Sequence, residues 1–159
     1  MHFTSRFYCE FHRVDKFAES GIIGSINNGT AVNNVHYIGK LNLEIYKCVT
    51  DDIVTDEVII TDERVQHIKE HHPNDYETYY GFLKQIIEEP DYIIEANKPK
   101  SALVLKSFTE GSNTFKTIVR LVTSSDDDGI KNSIITFMKI NEKEWNRLIK
   151  NKKVLYKRE

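Results

Sequence analysis

ALVLKSFTEGSNTFKTIVRLVTSSDDDGIKNSIITFMKI, residues 102–140, is the stretch whose reading decides the fold. Three runs rich in β-branched and aromatic residues, 102–108, 114–124 and 133–140, are divided by turn clusters at 109–113 and 125–132. A parallel return needs a crossover of a dozen or more residues, whereas links this short join antiparallel neighbours. The stretch therefore predicts an antiparallel meander.

Working upstream, residues 92–96 add another strand after Pro90. Before it, Tyr76, Tyr79, Tyr80, Leu83, Ile86 and Ile87 recur at helical spacing until that proline stops them. An earlier helix starts at Thr61, a good N-cap with Asp62 and Glu63 in the first turn, and ends at His72, because the residue before Pro73 is pushed out of the α region. The apolar run 58–60, a short strand at 35–38 and a helical or extended piece at 41–48 complete this half. Downstream, Asn141 and Glu144 form a capping box for a helix to about residue 150, and residues 154–157 make a last strand. Helices before a meander predict an α+β domain, with N-terminal helices packed on an antiparallel sheet of four to five strands. Residues 1–34, punctuated by Gly21, Gly24, Asn27, Asn28 and Gly29, read as a variable N-terminal extension, leaving 35–159 as the domain.

At 159 residues and 40% hydrophobic content, the chain can build one core without disulfides. Cys9 and Cys48 show no paired spacing, as expected in a reducing compartment. No stretch approaches the roughly 20 apolar residues of a membrane span, and residues 1–11 lack the order of a secretory signal, so the expectation is a soluble, cytoplasmic protein with no membrane partner. A net charge of −2 argues against non-specific coating of nucleic acid. The average hides an asymmetry: residues 46–95 hold 13 acids and 4 bases, and residues 139–159 hold 8 bases and 3 acids. The basic end either faces a polyanion or is a solvated helix and tail.

Chemistry concentrates in His67-Ile68-Lys69-Glu70-His71-His72, which holds three of the six histidines. On a helix, Val65, Ile68 and His72 share one arc, while Arg64, His67 and His71 share the next, so His67 and His71 point together along the margin of the buried face. Imidazoles move protons near neutral pH and also bind zinc. His67, Glu70 and His71 spell an H-x-x-E-H metal motif, which would make a zinc hydrolase, although so short a match arises easily by chance. Three strands carry a polar residue amid apolar neighbours: Lys106, Arg120 and Thr136. Each alone suits the wetted face of an antiparallel sheet. If the register aligns them, they form a row of donors on one face opposite His67 and His71, fit for a phosphate.

The blocks Tyr37-Ile38-Gly39-Lys40-Leu41, Val58-Ile59-Ile60-Thr61-Asp62-Glu63-Arg64 leading into His67 and His71, and Glu89-Pro90-Asp91-Tyr92-Ile93 are followed by Leu105-Lys106, Val119-Arg120-Leu121, Ser133-Ile134-Ile135-Thr136 and Leu155-Tyr156-Lys157. In this order and spacing the chain, from about residue 35 to 157, resembles the phage-associated branch of the barnase, EndoU, colicin and RelE (BECR) nuclease superfamily. The resemblance implies a BECR-like fold and metal-independent cleavage of RNA, with no cofactor. The ribose 2′-hydroxyl would attack the adjacent phosphate, giving a 2′,3′-cyclic phosphate and a 5′-hydroxyl and excluding DNA. By that resemblance His67 or His71 would be general base or acid, Lys106 and Arg120 would stabilise the phosphorane, and Thr136 would orient an oxygen. Arg64, Ser133, Tyr156 and Lys157 are the expected substrate-binding residues. Expected partners are RNA, tRNA among them, and an immunity protein or antitoxin, with the domain carried by a phage or delivered as a toxin. The competing reading is a catalytically silent RNA- or protein-binding module of the same fold, its acidic middle a partner surface.

Overall fold

The structure is a computed structural model that describes residues 34–159. The extension expected over residues 1–34 therefore lies, Asn34 apart, outside the described residues, as does Cys9. In chain order the elements are β1 (Val35–Lys40), α1 (Leu43–Tyr46), β2 (Glu57–Thr61), α2 (Asp62–His71), α3 (Asp75–Tyr79), a 3₁₀ turn (Tyr80–Phe82), α4 (Leu83–Glu88), β3 (Tyr92–Glu95), β4 (Ser101–Phe108), β5 (Asn113–Arg120), β6 (Asn132–Ile140), α5 (Glu142–Asn151) and β7 (Val154–Lys157).

Local signals act where expected. Thr61 Oγ1 accepts the Arg64 N–H at 3.2 Å and opens α2, which stops at His72 before Pro73. Asn141 Oδ1 accepts the Glu144 N–H at 2.8 Å and opens α5. The reciprocal half of that capping box does not form, because the Glu144 carboxylate turns to Arg147 at 2.5 Å and Lys116 at 3.5 Å. The second helix is interrupted. Gly81 disfavours a continuous α-helix, and the chain tightens into a 3₁₀ turn between α3 and α4.

The sheet has seven strands in the order β1-β2-β6-β5-β4-β3-β7, not four or five, because β1, β2 and β7 join the meander. Every pair is antiparallel except β2 with β6, which meet over Val58↔Asn132 and Ile59↔Ser133. Beyond Ser133, β6 continues without a strand on that side, since the chain leaves β2 at Thr61 for α2. Two side chains take over there: Arg64 Nη1 donates to Ile135 O at 3.2 Å, and Asp75 Oδ2 accepts the Lys139 N–H at 3.0 Å. These contacts lay α2 and α3 along the edge of β6 and satisfy backbone groups that would otherwise be stranded.

Both sheet faces are covered. One face carries Val58, Ile60, Ala102, Val104, Phe115, Val119, Ile134 and Phe137, packed with Ile68 of α2 and Leu83, Ile86 and Ile87 of α4. The other carries Ile94, Leu103, Leu105 and Ile140 under Trp145 and Leu148 of α5. This is why β4 is apolar at consecutive positions: from Ser101 to Lys106 every residue is buried. The expected wetted face is absent from β4. The sheet also curls, for α4 packs on both β1 and β4. Gly39 permits the approach at β1, where a Cβ would stand 2.8 Å from Glu88 Oε2, the oxygen that accepts the Lys40 N–H at 3.0 Å.

Candidate active site

The register overturns the expected row of donors. Facing partners place Lys106 opposite Phe115, on the face that packs against α2 and α4. Arg120 lies opposite Ser101, on the α5 side. Phe115 and Arg120 are five positions apart on β5, so Lys106 and Arg120 stand on opposite faces and about 17 Å apart along the strands. Lys106 is instead occupied structurally. Its ammonium lies 3.4 Å from Asp91 Oδ1 and 5.8 Å from the centre of the Phe108 ring, while Asp91 Oδ2 accepts the Ser107 N–H at 2.8 Å. Tyr156 and Lys157 belong to β7, four strands from β6 in the sheet order, and do not reach Ser133 or Thr136.

A different polar group assembles. Ser101, Arg120 and Ser133 form one row across β4, β5 and β6. Thr136 faces Ile118, two positions from Arg120 on the same strand, and shares that face. These residues are 4%, 7%, 5% and 2% exposed in the order Ser101, Arg120, Ser133, Thr136, and the Ser101 Oγ has no hydrogen-bond partner. Arg120 Nη2 donates to Asp126 Oδ1, whose other oxygen accepts the Thr123 N–H at 2.8 Å and sits 4.0 Å from Lys100 Nζ. Burial pushes the Asp126 carboxyl up, but the Arg120 guanidinium, the Thr123 N–H and Lys100 together outweigh it and hold the carboxyl below its ordinary range.

Next to this row runs α2, fixed on β6 at Ile135 by Arg64. Val65 packs into the core beneath α2 and α4. At about 100° per residue, His67 and His71 fall roughly 160° and 120° round from Val65 and so turn to the other flank of the helix. Their ring centres are 4.1 Å apart with planes tilted by 36°. His71 Nδ1 lies 3.0 Å from the His67 carbonyl, which can only accept, so Nδ1 carries the hydrogen and the neutral ring holds its lone pair on Nε2. His67 also lines a recess of about 260 Å³ with Glu63, Arg64, Gln66 and Glu70. His72 is distinct: burial lowers its pKa, Asp75 opposes the shift, and His71 and Lys116 add to it. Arg64 itself is 1% exposed and braces β6.

Of the residues singled out from sequence, Arg64, His67 and His71 lie on α2, which Arg64 ties to β6, and Arg120, Ser133 and Thr136 lie on β5 and β6, whereas Lys106, Tyr156 and Lys157 lie elsewhere in the sheet. Ser101 and Asp126 were missed. Ser101 lay just ahead of the strand expected over 102–108, and Asp126 sat in the turn expected over 125–132. For the metal motif, no three His, Cys, Asp or Glu side chains among the described residues are placed to hold one ion. The Glu70 carboxylate accepts Gln66 Nε2 at 3.4 Å. No curated protein and no solved structure matches the chain. A family profile described as phage-Barnase-EndoU-ColicinE5/D-RelE like nuclease 2 matches residues 34–157.

Proposed function

The chain belongs to the phage family of nucleases like barnase, EndoU, colicin E5/D and RelE, and from that premise we propose that it is a metal-independent endoribonuclease. The observation that carries the reading is Arg120, held by Asp126 between Ser101 and Ser133 with Thr136 alongside, on the strand pair flanked by the histidine helix. A guanidinium offers five donors in a fixed fork, so it can grip a phosphate while keeping its bond to Asp126. Ser133 and Thr136 supply hydroxyls to the remaining oxygens. His71, with its lone pair on Nε2, takes the proton from the ribose 2′-hydroxyl, whose oxygen then attacks phosphorus. The P–O5′ bond breaks with a proton given to O5′ by His67 acting as the acid, leaving a 2′,3′-cyclic phosphate and a 5′-hydroxyl. Lys106 has no part in this arrangement.

The test is cleavage of total RNA and purified tRNA in excess chelator by the wild type, His71→Ala, Arg120→Ala and Lys106→Met. Discrete products ending in cyclic phosphate, lost in the first two variants and kept in the third, are expected. Removing a proton-transfer group lowers the rate by about 10²–10⁴-fold. The burial of Arg120, Ser133 and Thr136 favours one other reading, a silent RNA- or protein-binding module. RNA binding without cleavage, with or without added zinc, would select it. An active enzyme would harm its host, so a phage or toxin setting and a cognate inhibitor follow from the proposal, and growth arrest on unchecked expression is the corresponding result.

A further inference from the structure

Lys47, Lys84, Lys106, Lys116 and Lys131 each lie within 3.5 Å of a carboxylate. Lys143, Lys150, Lys153 and Lys157, all within the last seventeen residues of the chain, make no ion pair among the described residues, and neither do Lys40, Lys139 and Lys152. On α5, Lys143, Arg147 and Lys150 recur at helical spacing and are exposed, on the side away from the buried Leu148. Seven residues span about 10 Å of helix, enough to face more than one phosphate of a nucleic-acid strand.

A solvated helix surface explains Lys150, which sits in the last turn where the helix dipole favours a cation. It does not explain Lys143. That residue occupies the first turn, where the dipole disfavours positive charge. The first-turn acid Glu144 is already committed to Lys116 and Arg147, and Glu142 points about 100° round the helix toward a cleft of about 940 Å³ shared with Trp145 and Lys139. Lys157 is not part of this stripe: its register partner Tyr92 meets Trp145 on the sheet-facing side of α5, with ring centres 5.7 Å apart. All these groups lie on the sheet side that also carries Ser101, Arg120, Ser133 and Thr136.

We propose that the outer face of α5, through Lys143, Arg147 and Lys150, docks the sugar–phosphate backbone of an RNA strand flanking the scissile bond. This rests on the ribonuclease reading above. The stripe contributes affinity for long substrates through counterion release and takes no part in the bond-breaking step.

The experiment pairs two substrates. Binding of a fully 2′-O-methylated 20-nucleotide RNA, which has no attacking hydroxyl, is measured against salt for the wild type and for Lys143→Gln/Lys150→Gln. The double variant is expected to bind about tenfold more weakly at low salt, with a log–log salt slope smaller by about 1.4, at about 0.7 per cation lost. Cleavage of a dinucleotide, too short to reach α5, is expected to be unchanged, while KM for long RNA rises. An unchanged slope and affinity would overturn the proposal, as would loss of affinity for an acidic peptide with none for RNA. Dinucleotide resistant to the wild type, together with a reduced slope for long RNA, would remove the catalytic reading and leave the docking surface standing. Matching thermal unfolding of the two proteins confirms that the substitutions act at the surface.

Discussion

At the residue scale, the polar side chains inside the strands are explained by their partners. Lys106 and Arg120 look alike in sequence, each a cation among Val, Ile and Leu. One locks β3 to β4 through Asp91, and the other is set between two serines and gripped by Asp126. The grip has a pH signature. The Asp126 carboxyl titrates below its ordinary 3.8 in the folded chain. The stability of the pair is therefore complete above the unfolded value and is lost as pH falls through the folded one. In acid unfolding followed by circular dichroism from roughly pH 5 to 2, Asp126→Asn should start less stable at neutral pH and fall less steeply across that window. A variant as steep as the wild type would show that the pair contributes nothing there.

At the element scale, caps and breakers act alone, which is why they were legible. Thr61, Pro73, Asn141 and the run of alternating residues in β5 each set a boundary through contacts within a few residues. The two glycines of the α4 region separate by what surrounds them. A Cβ at Gly39 would meet Glu88, whereas one at Gly81 would meet nothing within 4 Å. Gly81→Ala should therefore stabilise the protein by about 0.4–1 kcal/mol through the entropy of the unfolded chain. Urea denaturation would check it, and a lower midpoint would show that the 3₁₀ turn needs the glycine. The second helix was read as continuous because its apolar spacing persists across Gly81, and spacing alone does not register a local tightening.

At the scale of the whole molecule, β6 organises the candidate site. It takes β2 in parallel for two residue pairs, β5 in antiparallel along its length, and α2 and α3 along its remaining edge. Lys106 and Arg120 should then be energetically independent. With Lys106→Met, Arg120→Met and the double variant compared by urea denaturation, the stability changes should add to within about 0.5 kcal/mol, as for groups well over 10 Å apart. A coupling above about 1 kcal/mol would put them in one network and contradict the register.

By itself the sequence determined the α+β class, most strand and helix positions from Val35 onward and the family, because hydrophobic period, caps and motif order are written in neighbouring residues. Only the tertiary structure decided which of the chosen side chains meet. A strand's side chains alternate between faces, and a single bulge shifts the register, as between Ile118 and Val119, so membership of a site depends on pairings between residues far apart in the chain. That long-range choice separated Lys106 from Arg120, set Ser101 and Asp126 around the arginine, and buried both faces of a sheet whose residues, taken strand by strand, had suggested one open to water.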